Sequence, residues 1–388
     1  MEWDKGDDMH IAYLTPEYPH EKISNGGGMG TSIKNLVEAL AELGHEITVF
    51  VYGQPVDMVF VDHKITFHLI AQKKYQLGGF YFYRKHIEKY INMNKGSIEL
   101  LEAPDWTGIT AFMKLRLPLI IRFHGSDTYF CHIEKRAQKI KNNFFEKNAV
   151  SKAKAFIAPT NFAGEVSMKL FQLPMDKLKV IPYGLQLENF KNEEPDVYTP
   201  FTLLNIGTLI RKKGVFQLIE VFNRIVEKFP EAQLLFIGGD SNDVLTGNSS
   251  TWAMMQEKMT DKARSNIEYL GKLPYNQVKD QIVKAHVCVF PSLAETLGMV
   301  TIESMALSKA VVNTDIGWAQ DLINHGVDGY MHHPDDIGSY VDTISMLFTN
   351  KELVKGLGEK ATQTIQNKFD IKKNALENIE FYKLVLNS

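Results

Sequence analysis

Ala285-His286-Val287-Cys288-Val289-Phe290-Pro291-Ser292-Leu293-Ala294-Glu295-Thr296-Leu297-Gly298-Met299-Val300-Thr301-Ile302-Glu303-Ser304-Met305-Ala306 carries three patterns in succession. Residues 285–290 are an apolar, partly β-branched run of strand length. Pro291-Ser292 breaks that run, and helical spacing begins at about Leu297. Strand, loop and helix in this order make one unit of a parallel α/β sheet. Glu295 then stands in the loop at the carboxyl end of a strand, and Glu303 on the helix that follows. The backbone N–H groups of Leu297, Gly298, Met299 and Val300 form the helix N-terminus, which favours an anion such as a diphosphate. A carboxylate on that helix can accept from the hydroxyls of a ribose, and one in the loop can reach a sugar beyond the phosphates. The spacing suits a sugar-nucleotide site; two solvated glutamates on an ordinary loop–helix unit are the plain alternative.

The same alternation runs outward in both directions. His10-Ile11-Ala12-Tyr13-Leu14 is a first strand, followed by a glycine-rich loop and a helix with Ile33, Leu36, Val37, Leu40 and Leu43 at core spacing. Gly44 ends that helix, and residues 46–51, 119–123 and 155–158 continue as strands. A polar stretch at 188–200, with Glu193-Glu194 and Pro195, reads as a hinge. A second set of strands follows at 202–206, 232–237, 267–270, 285–290 and 310–313. The expected fold is therefore α/β, with two Rossmann-like parallel-sheet domains facing across a cleft. The domains are expected over 1–187 and 188–370, with a last helical segment over 371–388. A chain of 388 residues suits two such domains.

Composition narrows the function. A formal net charge of −3 gives no electrostatic footprint for nucleic acid. The two cysteines, Cys131 and Cys288, are far apart and form no CxxC, which indicates neither a disulfide framework nor a zinc site. No apolar run approaches the roughly 18 residues of a membrane span. The start, Met1-Glu2-Trp3-Asp4-Lys5-Gly6-Asp7-Asp8, is acidic and lacks an export-signal core. A cytoplasmic protein is expected. No Asp-x-Asp and no Walker sequence occurs.

The segment 291–306 resembles the Glu-x7-Glu signature of retaining glycosyltransferases of the GT-B fold, family 4 (glycosyl transferases group 1). Leu297 stands for the usual Phe, and Ser304 for the usual Ala. Asn25-Gly26-Gly27-Gly28-Met29-Gly30 fails the G-x-G-x-x-G dinucleotide fingerprint, because Thr31 or Ile33 falls in its last place. It resembles the family's Gly-Gly-x-Gly donor-phosphate loop. Gly207-Thr208-Leu209-Ile210-Arg211-Lys212-Lys213-Gly214 is similar to the family's Gly-Arg-Leu-x-x-x-Lys-Gly, with Lys213 in register and Thr208 where the Arg is expected. Arg211 lies three residues on. His124, at the end of an apolar strand, matches a family histidine near the donor sugar.

The resemblance implies a retaining transfer of a hexose-type sugar from a UDP- or GDP-linked donor to an unidentified acceptor, with no other cofactor and, since the Asp-x-Asp that supplies the metal site of the other major glycosyltransferase fold is absent, no metal. It implies ribose held by Glu303, diphosphate met by Arg211, Lys213 and the backbone at Gly27, Gly28 and 297–300, and donor sugar oriented by His124 and Glu295. It also implies that the last helix returns to the first domain. Asp321 is read as structural, in a Gly-Gly-x-x-Glu-like segment where Trp318 stands for Gly. Asp127 is read as a helix cap, and His332-His333 as loop residues.

Residues 134–154 hold seven Lys/Arg against two Glu. They are read as a basic helix with Ile133, Ala137, Ile140 and Phe144 toward the core, compatible with peripheral contact at the inner face of a membrane. The aromatic segment 75–90 lines an acceptor pocket or packs a core. A sugar-nucleotide 2-epimerase of similar shape and a catalytically silent partner subunit are the rival readings. A two-lobed solute-binding protein would need an export signal.

Overall fold

Strands buried on both faces read as nearly unbroken apolar runs, because helices cover the sheet above and below. That is how the runs at 10–14, 119–123 and 202–206 are used. The computed structural model describes residues 8–388; the acidic start, residues 1–7, lies outside the described residues. The chain divides into two compact units. One holds the described residues up to Gln186 together with Asp370–Ser388, the other Leu187–Phe369.

In the first unit one sheet is formed by β1 (His10–Thr15), β2 (Glu46–Gln54), β3 (Met58–Asp62), β4 (Ile65–Ala71), β5 (Leu100–Pro104), β6 (Leu119–Arg122), β7 (Ala155–Ala158) and β8 (Leu178–Val180). Its order is β3-β4-β2-β1-β5-β6-β7-β8. The pairings are parallel except at one edge, where β3 runs antiparallel to β4. The two residues between them, His63 and Lys64, take left-handed φ of 45° and 65°. That conformation turns a hairpin without splaying its strands.

In the second unit β9 (Thr202–Ile206), β10 (Gln233–Ile237), β11 (Ile267–Tyr269), β12 (Val287–Phe290), β13 (Ala310–Thr314) and β14 (Tyr330–His332) are all parallel. Their order is β11-β10-β9-β12-β13-β14. Strand order reverses between β9 and β12, as it does between β1 and β5 in the first unit. At such reversals the connections leave toward opposite faces and open a crevice at the carboxyl ends, where open α/β sheets take ligands.

The terminal helix Ile371–Asn387 belongs to the first unit and packs on the helix Gly28–Glu42. Ile371, Ala375, Ile379, Tyr382 and Val385 join the core of Ile11, Leu36 and Ile120. A buried polar network fixes their register. Arg122 donates to both oxygens of Glu102, at 2.7 and 3.0 Å, and also to Asn378. The Tyr382 hydroxyl donates to Glu102 at 2.6 Å and lies 3.0 Å from that of Tyr13.

Three local expectations are corrected. The helix over Asp127–Ile133 is capped by Ser126, whose extended backbone lets its hydroxyl accept from the Tyr129 amide. Asp127 sits one place further on and pairs with Arg136 and Asn142. The basic segment is helical only over Ile140–Val150, and Glu146, Ala149 and Val150 face inward. Glu146 sets that rotation by accepting from the amides of Asp127 and Thr128. Ile140 and Phe144 are consequently turned out, 88% and 57% exposed. His332 is the last residue of β14, its Nε2 2.8 Å from the Thr343 hydroxyl.

Arg122→Met should strand the Glu102 carboxylate in the core. Breaking a buried pair from one side costs about 3–5 kcal/mol. The expected outcome is a clear fall in the unfolding midpoint, measured by denaturant titration; an unchanged midpoint would show that the network does not hold the terminal helix.

Candidate functional site

The β9–β12 reversal gathers most of the charged candidates of the second unit. After β9 the chain passes Gly207 and turns through Arg211–Lys213 into the helix Val215–Lys228. Gly214, at the joint, has φ +68, and a Cβ there would stand 1.8 Å from the carbonyl oxygen of Pro291. Only glycine permits that approach. It brings the loop after β9 against the loop after β12, where the Leu293 amide donates to the Lys212 carbonyl at 2.7 Å. Lys213 and Glu295 are thereby brought together as an ion pair.

Arg211 is committed elsewhere. It donates to both oxygens of Asp243 at 2.9 Å, and its guanidinium lies 4.7 Å from the centre of the Phe216 ring. Arg211, with help from the Thr246 hydroxyl and amide, holds the Asp243 carboxyl down at about 2. Thr208, standing where the family has Arg, is exposed.

After β12, Pro291 to Gly298 form the loop, and the helix runs over Met299–Ala306. It starts later than its apolar spacing suggests, because Gly298 takes φ +96. Leu297 is packed inward, while Gly298, Met299 and Val300 stand half-buried at the helix N-terminus. Glu303, one turn in, is only 6% exposed, and burial lifts its carboxyl to about 7. The Tyr275 hydroxyl donates to its Oε1 at 2.8 Å.

In the first unit the candidates gather at the carboxyl ends of β1, β5 and β6. Gly27 precedes the helix Gly28–Glu42 without a side-chain cap of its own. The Glu17 carboxylate supplies one, accepting from the Gly30 amide at 2.8 Å. A Cβ on Gly27 would come within 2.7 Å of that carboxylate, whereas Gly28 has open space. His124 follows β6. Its amide donates to Asp105 at 2.8 Å, and its Nδ1 lies 2.7 Å from the Tyr183 hydroxyl, the two rings stacked at 5.3 Å. Burial, with the Arg122 charge behind it, holds the imidazole neutral down to about 3.

Four participants escaped the sequence reading. Asp105, next after β5, is 1% exposed; burial lifts its carboxyl to about 7, and its Oδ2 has no partner among the described residues. Its place one residue beyond an apolar strand was the available signal. Glu17, Asp243 and Tyr275 had none, since each acts across a distance that no local pattern encodes. Gly214→Ala should destabilise the second unit, since left-handed strain alone costs about 1–3 kcal/mol and the Pro291 clash adds to it. A lowered thermal midpoint checks this, and a parental midpoint would refute the close approach.

The comparisons agree with this architecture. The chain matches the family described as Glycosyl transferases group 1 over residues 187–364, and Glycosyltransferase Family 4 over residues 26–189. An uncharacterized glycosyltransferase of Methanocaldococcus jannaschii is 26% identical over 343 residues, covering 87% of this chain and 89% of that protein. Among solved structures, sucrose-phosphate synthase from Thermosynechococcus elongatus superposes with a TM-score of 0.78 at 18% identity, covering 98% of this chain and 99% of that one. HepE of Anabaena, in complex with UDP and glucose, gives 0.76 at 17% identity, covering 97% and 99%. With one family match on each side of the boundary between the units, and the same two-sheet fold in its structural neighbours, the chain belongs to the group 1 glycosyltransferases of the GT-B fold.

Proposed function

We propose that the protein transfers a hexose-type sugar, with retention, from a UDP- or GDP-linked donor to an acceptor, without a metal ion. The observation that carries this reading is Glu303. A carboxylate 6% exposed, on the helix leaving the β12 loop, is costly to bury, and the Tyr275 hydroxyl engages only its Oε1, which leaves the other oxygen for a ligand. A ribose hydroxyl is such a ligand. The complex of HepE with UDP and glucose supports a nucleotide-sugar donor.

In this reading the diphosphate meets the N-terminus of the helix Met299–Ala306 and takes Lys213 as its cation. Glu295, paired with Lys213 in the structure, then turns to the donor sugar. Arg211 contributes less than the resemblance implies, because Asp243 already holds its fork. Residues of the first unit enter through the resemblance. His124, kept neutral, orients the sugar by hydrogen bonding, and the open backbone at Gly28 meets phosphate. At Gly27 the Glu17 carboxylate opposes an anion. The leaving phosphate accepts the proton of the acceptor, so no separate acid–base pair is required.

The decisive assay incubates the protein with a panel of nucleotide sugars in EDTA and scores released nucleoside diphosphate. Release with one donor supports the reading; turnover that appears only on adding magnesium or manganese overturns the metal-free mechanism. Glu303→Gln should weaken binding of the bare diphosphate. A hydrogen bond to a charged group is worth about 1.5–3 kcal/mol, on the order of 10- to 100-fold in affinity. The ionised fraction of Glu303 grows as pH rises through about 7. Calorimetry should therefore find a larger gain in affinity from about pH 6 to about pH 8 in the parent than in Glu303→Gln, where only the terminal phosphate of the nucleotide, with a second ionisation at about 6, still titrates.

The acceptor side is proposed to lie at a membrane surface. Phe80, Ile140 and Phe144 are 59%, 88% and 57% exposed. Ring contacts run from Tyr81 through Phe112 to Phe144 and Phe145, and from Phe145 to Phe80. Lys141 stands 3.3 Å over the Phe80 ring. Exposed aromatics beside lysines suit an anionic bilayer interface. Among the described residues no helix is long and apolar enough to cross one. The protein should sediment with phosphatidylglycerol vesicles and not with phosphatidylcholine vesicles, and the double variant Ile140→Asp, Phe144→Asp should stay in the supernatant. Equal sedimentation of variant and parent would remove the surface from the reading.

A further inference from the structure

Glu303 is held by a residue that nothing in its own motif announces. Tyr275 is the first residue of the helix Tyr275–Lys284, directly after Pro274. Its ring is half exposed, yet its hydroxyl reaches inward to the buried Glu303 carboxylate at 2.8 Å. The ring is itself braced. Phe190 meets it edge-on, with centroids 6.4 Å apart. Lys279, one helical turn on, lies 5.6 Å from the Tyr275 ring and 5.7 Å from that of Phe190. The ammonium of Lys279 is tethered by a hydrogen bond to the Asn189 carbonyl at 3.2 Å.

We propose that Tyr275 is the positioning residue for Glu303: it binds Oε1, fixes the plane of the carboxylate, and leaves Oε2 to select a ribose hydroxyl of the nucleotide. The inference rests on the reading of Glu303 as the ribose ligand and deepens it.

Two observations favour this over simple satisfaction of a buried acid. A purely structural carboxylate is expected to have both oxygens engaged. Here no hydrogen bond to Oε2 is found among the described residues, and Oε1 has this single donor. The proton also stays where the proposal needs it. Burial, and then the Glu303 charge, raise the Tyr275 phenol above its ordinary value, so it remains a donor throughout the neutral range. A carboxylate with three torsions between backbone and oxygens selects poorly on its own, and a single firm hydrogen bond removes most of that freedom.

The test is a ratio of affinities. UDP and 2′-deoxy-UDP, and GDP and 2′-deoxy-GDP, are titrated calorimetrically into parent, Tyr275→Phe and Glu303→Gln, and the pair that binds the parent is used. Tyr275→Phe keeps the ring and its contacts with Phe190 and Lys279. A ratio measured on one preparation is also insensitive to the fraction of it that is folded. The parent should prefer the ribonucleotide by about tenfold or more. In Tyr275→Phe the preference should shrink to about threefold or less, chiefly through weaker ribonucleotide binding. If Glu303→Gln loses the preference while Tyr275→Phe keeps the parental ratio, the positioning role is overturned and Glu303 still stands as the ribose ligand. If Tyr275→Phe weakens both nucleotides equally, the ring is only a wall of the site and the proposal is likewise overturned. If Glu303→Gln keeps the parental ratio, the failure lies with the reading of Glu303.

Discussion

The reversal of strand order between β9 and β12 is the constraint on which the second unit's chemistry depends. Because neighbouring connections there leave for opposite faces, the two loops at the carboxyl ends lie side by side instead of each folding over its own strand. Gly214 then lets them touch at backbone distance, and the Leu293 amide closes the contact on Lys212. Lys213 and Glu295, 82 residues apart, meet for this reason. The Glu303 helix leaves from the same loop, so its position follows from the same joint.

Two of the cations gathered at that joint are compensated. Arg211 with Asp243 and Lys213 with Glu295 each sum to zero, and the Glu17 carboxylate occupies the helix N-terminus at the glycine loop of the first unit. Net charge thus gives that joint little pull on an anion; in the proposed reading the anion is met by exchange of partners and by the oriented amides of a helix end. Asp243, side chain fully enclosed, keeps Arg211 from exchanging freely. Lys213 and Glu295 are both partly exposed, at 23% and 16%.

Burial of a few polar groups shapes the first unit in the same way. The Arg122–Glu102 pair, with Tyr382 and Asn378, joins the terminal helix to the sheet, and Arg122 also helps keep His124 uncharged. Glu146 caps one helix from another and thereby turns Ile140 and Phe144 outward. An apolar pattern alone assigns those two residues to the core, because it cannot register that a buried carboxylate has already claimed the inner face.

The amino-acid sequence by itself determined the two parallel α/β units, most strand positions, and the loops that carry Glu295, Glu303, Lys213, His124 and the glycines. These depend on local matters: apolar runs of strand length, a proline or glycine at the break, helical spacing after it. The β3–β4 hairpin escaped because its turn residues, His63 and Lys64, adopt left-handed φ without being glycine or asparagine. Partnership was decided only by the tertiary structure. Arg211 faces Asp243, Glu303 faces Tyr275, and Glu17 caps the helix of the glycine loop, each across a separation that no sequence period spans. A side chain's residue type and its loop follow from neighbours along the chain, whereas the charge it meets depends on which strands the sheet places next to each other.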